Sequence, residues 1–265
     1  MARTFITKED GRTAFGLDPA GYHSGRPDYP EWVFATLRDR CGLGPGTEVF
    51  ELGAGSGTAT RRLLEAGAGR LTAIEPDRRL ADFLSRTLGG RRLTVLQDTF
   101  EAAELDGEAY DLGISATAFH WVDEDQALAK IAWSLRPGGW WAAVWNVFGD
   151  SDRPDPFHEA TRELLQDVVP LPKGERGLEF ALDADARSWA LEKTGRFDEV
   201  TSDIRPWTLT LTAEEAVALY ATFSTISLRE DREAVLAELG RIARHEFGGR
   251  VVRNMTTSLY LGRRK

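Results

Sequence analysis

The sequence predicts an α/β protein built on a doubly wound, mostly parallel sheet, and three observations carry that reading. First, the apolar run Val49-Phe50-Glu51-Leu52 enters three glycines at alternate positions, Gly53, Gly55 and Gly57, and a helical segment over 59–66 follows. Glycine accepts backbone angles that a side chain forbids and lets a ligand approach the main chain. The helix start offers free N–H groups and the positive end of its dipole. Such a strand-to-helix turn is where doubly wound sheets bind nucleotide-like ligands. Second, Leu71-Thr72-Ala73-Ile74-Glu75 reads as a second strand ending in an acid. Glu75 lies about 20 residues beyond the loop, where a carboxylate can accept hydrogen bonds from both ribose hydroxyls. Third, strands and helices alternate as far as residue 145, the rhythm of a parallel sheet with right-handed crossovers.

The glycine spacing narrows the ligand. A dinucleotide fingerprint reads G-x-G-x-x-G. Here the third glycine comes one residue early, at Gly57, and Thr58 follows it. Glu51 precedes the first glycine; an acid helps little beside a pyrophosphate but suits a ligand carrying an ammonium group. A dinucleotide-dependent oxidoreductase and a binding module without catalysis stay open on these residues alone.

In chain order, residues 15–30 read as an ordered arm without clean periodicity. Pro30 and Glu31 start a helix over 31–40. Gly44-Pro45-Gly46 turns the chain into the first strand, 49–52. Then come a helix over 59–66, a strand over 71–75, a helix over 78–88 and a strand over 93–97. A strand over 110–115, a helix over 123–135, a Pro137-Gly138-Gly139 turn and a strand over 140–145 complete the alternation. The pattern changes at 146. A polar loop precedes an amphipathic helix over 157–169, and 170–179 reads as a second loop, so 146–191 is expected to be an insertion covering the site. A strand returns over 197–204. Leu211-Thr212-Ala213-Glu214-Glu215 carries a capped helix start, with helix over 216–225, another over 232–247, and a last alternating strand over 254–261.

Bulk properties exclude several classes. The chain has 265 residues, 29.4 kDa, 42% hydrophobic and 28% charged, which is ordinary for a globular protein. A net charge of -9 disfavours a nucleic-acid partner, because phosphate contacts need a basic surface. One cysteine, Cys41, allows no internal disulfide, and no Cys/His pattern suggests a metal. No apolar run reaches membrane-span length. The polar start shows no signal peptide, so a cytoplasmic location is expected. The eight tryptophans are the unusual feature, and several are expected to line a cavity for an organic ligand.

Taken with Gln97-Asp98-Thr99-Phe100, Tyr110-Asp111-Leu112, Ala118-Phe119-His120-Trp121 and Leu135-Arg136-Pro137-Gly138-Gly139, the chain resembles the class I S-adenosylmethionine-dependent methyltransferases. It looks most like their small-molecule branch, with ubiquinone/menaquinone-type and trans-aconitate-type relatives. The likeness covers nearly the whole chain and is strongest over 49–145. It implies a Rossmann-like sheet of seven strands with an antiparallel last strand. It also implies an N-terminal arm (1–30), a cofactor-binding core (31–145), an inserted lid (146–191) and a C-terminal completion of the sheet (192–265). The cofactor implied is S-adenosyl-L-methionine and the partner a small-molecule methyl acceptor.

The resemblance also assigns roles. Gly53, Ala54, Gly55 and Gly57 would bring the backbone against the methionine part of the cofactor, and Glu51 would orient its ammonium. Glu75 would hold the ribose hydroxyls, Pro76 would wall the adenine, and Asp98 would accept from the adenine amine with Thr99 or Phe100 alongside. Tyr22 and Arg26 belong to an Arg-Pro-x-Tyr-Pro arm, and the guanidinium could grip the cofactor's carboxylate bidentately. His120 would sit where the acceptor arrives, as a candidate general base, with Trp121, Trp145 and Asn146 near the same mouth. The segment Ser115-Ala116-Thr117-Ala118-Phe119 lacks the Asn-Pro-Pro-Tyr signature of amino-methylating nucleic-acid and protein enzymes. No Pro-Cys pair offers a nucleophile for cytosine chemistry, and Asp123 and Asp125 read as a helix start rather than a metal site.

Overall fold

The computed structural model describes residues 15–149, 152–165 and 179–265. A 3-10 turn, Phe15–Leu17, precedes helices α1 (Pro19–Gly25) and α2 (Glu31–Cys41). The alternating segment runs β1 (Glu48–Leu52), α3 (Thr58–Glu65), β2 (Arg70–Ile74), α4 (Arg78–Leu88) and β3 (Leu93–Leu96). It continues with β4 (Tyr110–Ala116), a 3-10 turn at Phe119–Trp121, α5 (Glu124–Ser134) and β5 (Leu135–Phe148). Then follow α6 (Pro156–Thr161), α7 (Ala184–Glu192), β6 (Phe197–Thr212), α8 (Ala213–Ala221), α9 (Ser224–Ser227), α10 (Arg232–His245) and β7 (Arg250–Arg264).

The seven strands form one sheet in the order β3-β2-β1-β4-β5-β7-β6, with β7 antiparallel. The pairings β3-β2, β2-β1, β1-β4 and β4-β5 are all parallel. The expected doubly wound, mostly parallel, seven-stranded fold is therefore the observed one. Strand order reverses between β1 and β4, and in such sheets ligands bind beyond the strand ends at that reversal.

The chain falls into two compact units. One comprises Asp28–Trp145, Lys173–Ile204 and Ser258–Lys265. Its central strands are covered on both faces, so Val49, Phe50 and Leu52 are all buried. Val33, Phe34 and Leu37 of α2, Leu63 of α3 and Leu84 of α4 pack with Val49, Leu71 and Ile114. Side chains stop the helices from fraying: Asp77 accepts from Arg79 N at 2.8 Å, and Asp123 from Gln126 N at 2.9 Å. Buried Cys41 belongs to this core, and desolvation pushes its thiol up to about 12, so it is a packing residue.

The other unit comprises Met1–Pro27, Asn146–Pro172 and Arg205–Thr257. Phe157, Tyr220, Ile226, Leu239 and Val251 form its core. α8 starts on the expected capping box, in which Thr212 and Glu215 each bond the other's backbone N–H. A buried ion pair, Arg253 Nε to Asp155 Oδ2 at 2.9 Å, crosses the interior of this unit. Of residues 146–191, the described 146–149 and 152–165 belong to this unit and 179–191 to the other.

Some boundaries differ from the sequence expectation. The Pro137-Gly138-Gly139 turn lies inside β5: Tyr110 pairs with Leu135 and Leu112 with Trp140, so five residues of β5 advance against two of β4. A bulge absorbs them, with Gly138 at φ +82°. β6 runs eight residues beyond 204, through Pro206. As the last strand in the order it is an edge, where a proline's missing N–H costs no ladder bond. The helix expected over 157–169 is α6, which ends at Thr161 with turns to 165. Residues 166–169 and most of the expected 170–179 loop lie outside the described residues. Among the described residues no helix is long and apolar enough to cross a membrane.

Candidate active site

The glycine loop is shaped by three left-handed residues, Gly53 (φ +70°), Gly55 (+59°) and Gly57 (+93°). Gly53 N and Ala54 N both donate to Ile74 O, at 2.9 and 3.1 Å, which ties the loop to the end of β2. The three glycines have different surroundings. A methyl on Gly53 would stand 2.4 Å from Ala118 Cβ, and one on Gly57 would stand 2.5 Å from Leu84 Cδ1. A methyl on Gly55 would meet nothing within 4 Å. Gly53 and Gly57 are thus required by packing, whereas Gly55 faces open space.

Two buried acids flank that space. Glu75, 5% exposed, accepts from Gly55 N through Oε2 at 2.8 Å and from Asp77 N through Oε1 at 2.9 Å. Each carboxylate oxygen can accept a second bond. Glu51, 1% exposed, accepts from Thr60 Oγ1 at 2.6 Å. Burial pushes the Glu51 carboxyl up to about 8; the Thr60 hydroxyl opposes the rise and the negative charge of Glu75 adds to it. Thr60 braces Glu51 from α3, a contact not apparent from the sequence. Pro76 is exposed just beyond Glu75.

Past β3, Asp98 is exposed and its Oδ1 accepts from Thr99 N at 2.8 Å. Phe100 turns inward: its ring stacks on Phe50 at 6.1 Å, and its carbonyl accepts from Lys130 Nζ at 2.6 Å. An adenine contact from Phe100 would therefore come from its backbone N–H. Past β4, Thr117 adopts φ +57°, a strained value for a β-branched residue, and shares a 2.7 Å hydrogen bond with Tyr29. Nothing in the sequence flagged Thr117; Tyr29 stood within the Arg-Pro-x-Tyr-Pro arm.

His120 lies in the 3-10 turn after β4. Trp145 Nε1 donates to its Nδ1 at 3.1 Å, which places the ring proton of neutral His120 on Nε2. Trp121 lies 4.7 Å from the imidazole, ring to ring, so His120, Trp121 and Trp145 are brought together. Asn146 follows Trp145 on β5 and so points to the opposite face. Its Oδ1 accepts from Thr257 Oγ1, and Trp207 Nε1 donates to that hydroxyl. Tyr22 and Arg26 lie in the smaller unit. The Arg26 guanidinium sits over the rings of Tyr22, Phe148 and Phe223 at about 5 Å and donates to Thr222 O at 3.1 Å.

Residues 49–139 match a methyltransferase domain. An uncharacterized methyltransferase of Mycobacterium bovis is 34% identical over 145 residues, 53% of this chain and 55% of its own. An uncharacterized methyltransferase-like protein of Schizosaccharomyces pombe is 28% identical over 233 residues, covering 87% of this chain and 86% of its own. The match makes residues 49–139 a methyltransferase domain. The chain spans about half the length of the first curated relatives it matches. Among solved structures, Haemonchus contortus phosphoethanolamine N-methyltransferase 2, with phosphomonomethylethanolamine and S-adenosylhomocysteine bound, has TM-score 0.58 at 12% identity, covering 99% of this chain and 60% of that one. The [4+2]-cyclase SpnF has TM-score 0.55 at 14%, covering 97% and 96%. These likenesses show the fold alone.

S-adenosylmethionine, the cofactor implied by the sequence resemblance, fits the residues present. Gly55 leaves the cradle open where a Cβ would intrude. Glu75 is a buried carboxylate bonded to the same loop, the acceptor type a diol requires. Glu51 is a buried carboxyl with no cation paired to it among the described residues, as an incoming ammonium requires.

Proposed function

We propose that the protein is a methyltransferase that moves the methyl of S-adenosylmethionine to an oxygen, nitrogen or carbon of a small organic molecule. The observation that carries this reading is the Gly55–Glu75 cradle, an open left-handed glycine bonded to a buried acid at the end of the adjoining strand. Bound, the cofactor supplies a methyl on a sulfonium that needs no further activation. The chain's own residues align and desolvate. Glu75 holds the ribose hydroxyls, Glu51 the ammonium, and Asp98 the adenine amine, beside Thr99, the Phe100 backbone and Pro76. Arg26, with Tyr22 beneath it, is the candidate partner for the cofactor's carboxylate. Among the described residues it has a carbonyl and three rings around it and forms no ion pair.

The acceptor is placed against His120, Trp121 and Trp145. Neutral His120 donates from Nε2, which suits holding an acceptor oxygen. Drawing a proton through Nδ1 requires Trp145 to release it. A small acceptor, rather than nucleic acid, is supported by the net charge of -9 and by the aromatic lining.

The [4+2]-cyclase neighbour favours one second reading, a cofactor-binding protein of this fold with another or no activity. Incubation with methyl-labelled S-adenosylmethionine and a panel of hydroxyl, amine and carbon acceptors separates the two. Label in any acceptor supports transfer. Tight binding of S-adenosylhomocysteine without transfer supports the second reading, and binding of NADH in its place refutes both.

A further inference from the structure

Glu51 occupies a position where an isolated charge is costly. It lies on β1, one residue before the end of a central strand, and is 1% exposed. Among the described residues its hydrogen-bond partner is the Thr60 hydroxyl. Among the described residues, the groups around it on neighbouring elements offer no unpaired positive charge. From the end of β2 comes Glu75, itself an acid and 5% exposed. On β4 the residue paired with Glu51 is Ile114, which is apolar. α3 carries two arginines beside Thr60, but Arg61 pairs with Asp28 and Glu65, and Arg62 with Glu31 and Glu65. A carboxylate so placed has lost its water and gained one neutral donor, and a second acid stands nearby. In such surroundings the neutral form is favoured until a cation enters.

We propose that Glu51 carries a proton in the cofactor-free protein and releases it to solvent when the cofactor's ammonium arrives, so that cofactor affinity rises with pH. The inference rests on the S-adenosylmethionine reading above. Binding converts a buried carboxylic acid and an incoming ammonium into a buried ion pair plus one free proton. The group that titrates is the one the amino-acid moiety meets, so the effect belongs to that moiety and not to the nucleoside. Burial holds the Glu51 carboxyl at about 8, so the coupling spans the neutral range. Below that value each pH unit toward acid weakens binding by up to about tenfold.

The test is calorimetry on the whole chain with two probes, S-adenosylhomocysteine, which keeps the amino-acid group, and methylthioadenosine, which lacks it. Titrations at about pH 6 and about pH 7.5, in two buffers of unlike ionisation heat, give affinity and proton count together. The expected result for S-adenosylhomocysteine is release of close to one proton at the lower pH and affinity rising by up to about thirtyfold between the two. Methylthioadenosine should show neither, and Glu51→Gln should bind S-adenosylhomocysteine weakly and without pH dependence. Measurable S-adenosylhomocysteine binding with no proton release overturns the proposal and leaves the cofactor reading standing. The same slope with methylthioadenosine overturns it too, because the proton then comes from elsewhere. Absence of S-adenosylhomocysteine binding at every pH overturns the cofactor reading itself. Should the Gln variant fail to fold, the wild-type proton count and the two-probe comparison decide alone.

Discussion

Gly55→Ala separates binding from folding, because the added methyl meets no atom within 4 Å. The substitution's direct cost to the fold is conformational. At φ +59° an L-residue is strained by about 1–2 kcal/mol. For a chain of this size that corresponds to a melting temperature lower by about 3–6 °C. The methyl nevertheless occupies the space where the cofactor approaches the backbone and crowds the Gly55 N–H that Glu75 holds in place. Cofactor affinity should fall at least about tenfold, or 1.4 kcal/mol. Gly53→Ala provides the contrast: it has a similar φ of +70°, but its methyl would stand 2.4 Å from Ala118 Cβ, so stability should suffer more. Thermal unfolding without ligand ranks the two variants, and calorimetry with S-adenosylhomocysteine reads the loss at Gly55. A Gly55→Ala protein that melts a few degrees low yet binds within about twofold of wild type would refute the cradle, since 0.4 kcal/mol is too small for a methyl in a ligand's path.

Glu51→Gln should stabilise the ligand-free protein selectively at high pH. A folded carboxyl raised from 4.5 to about 8 gives full stability below the lower value and loses it as pH rises through the upper one. The neutral amide escapes that loss, so denaturant unfolding should show a gap on the order of a few kcal/mol at about pH 9 that closes toward pH 5, and parallel curves would contradict it. Asp155→Ala leaves Arg253, 3% exposed, without its partner and should cost about 3–5 kcal/mol in chemical denaturation; a loss below about 1 kcal/mol would mean the pair is hydrated. Nitrogen NMR should find neutral His120 protonated on Nε2, and Trp145→Phe should relax that preference; an Nδ1–H signal in wild type would contradict the Trp145 bond. Arg26→Ala should weaken S-adenosylhomocysteine binding about tenfold or more, with equal affinities removing the carboxylate role.

The alternating half of the fold was legible because its strands are buried parallel strands, which read as short apolar runs closed by glycine, proline or a capping acid. The loop glycines and Glu75 were legible because their spacing is set by local backbone geometry. What sequence reasoning missed depends on contacts between residues far apart. Thr60 finds Glu51 only once α3 lies over β1, and Thr117 finds Tyr29 from 88 residues away. Pro137-Gly138-Gly139 carries every local sign of a turn, and only the register against β4 shows that the strand continues through it. The strand expected to end at 204 runs on through Pro206, which a strand tolerates at an edge, and edge position is a property of the assembled sheet. Trp145 and Asn146 were both placed by topology near one mouth; as neighbours on β5 they point to opposite faces.

The two acids of the site differ in what holds them, and that difference assigns their work. Glu75 is part of the framework: its oxygens take the N–H of Gly55 and of Asp77, so it fixes the loop before any ligand is present. Among the described residues Glu51 makes no backbone bond of that kind, and a hydroxyl from α3 meets it in a place where the side chain is 1% exposed. A folded protein gains nothing from a buried acid so sparsely partnered. Leucine or methionine of similar volume would fill β1 at lower cost. On the proposed reading, Glu51 serves a partner that arrives from outside the chain. That partner must carry positive charge, be small enough to enter beside Gly55, and belong to a larger molecule whose diol reaches Glu75. An amino-acid-bearing nucleoside meets all three conditions. A dinucleotide, whose phosphates would approach the same acid, does not.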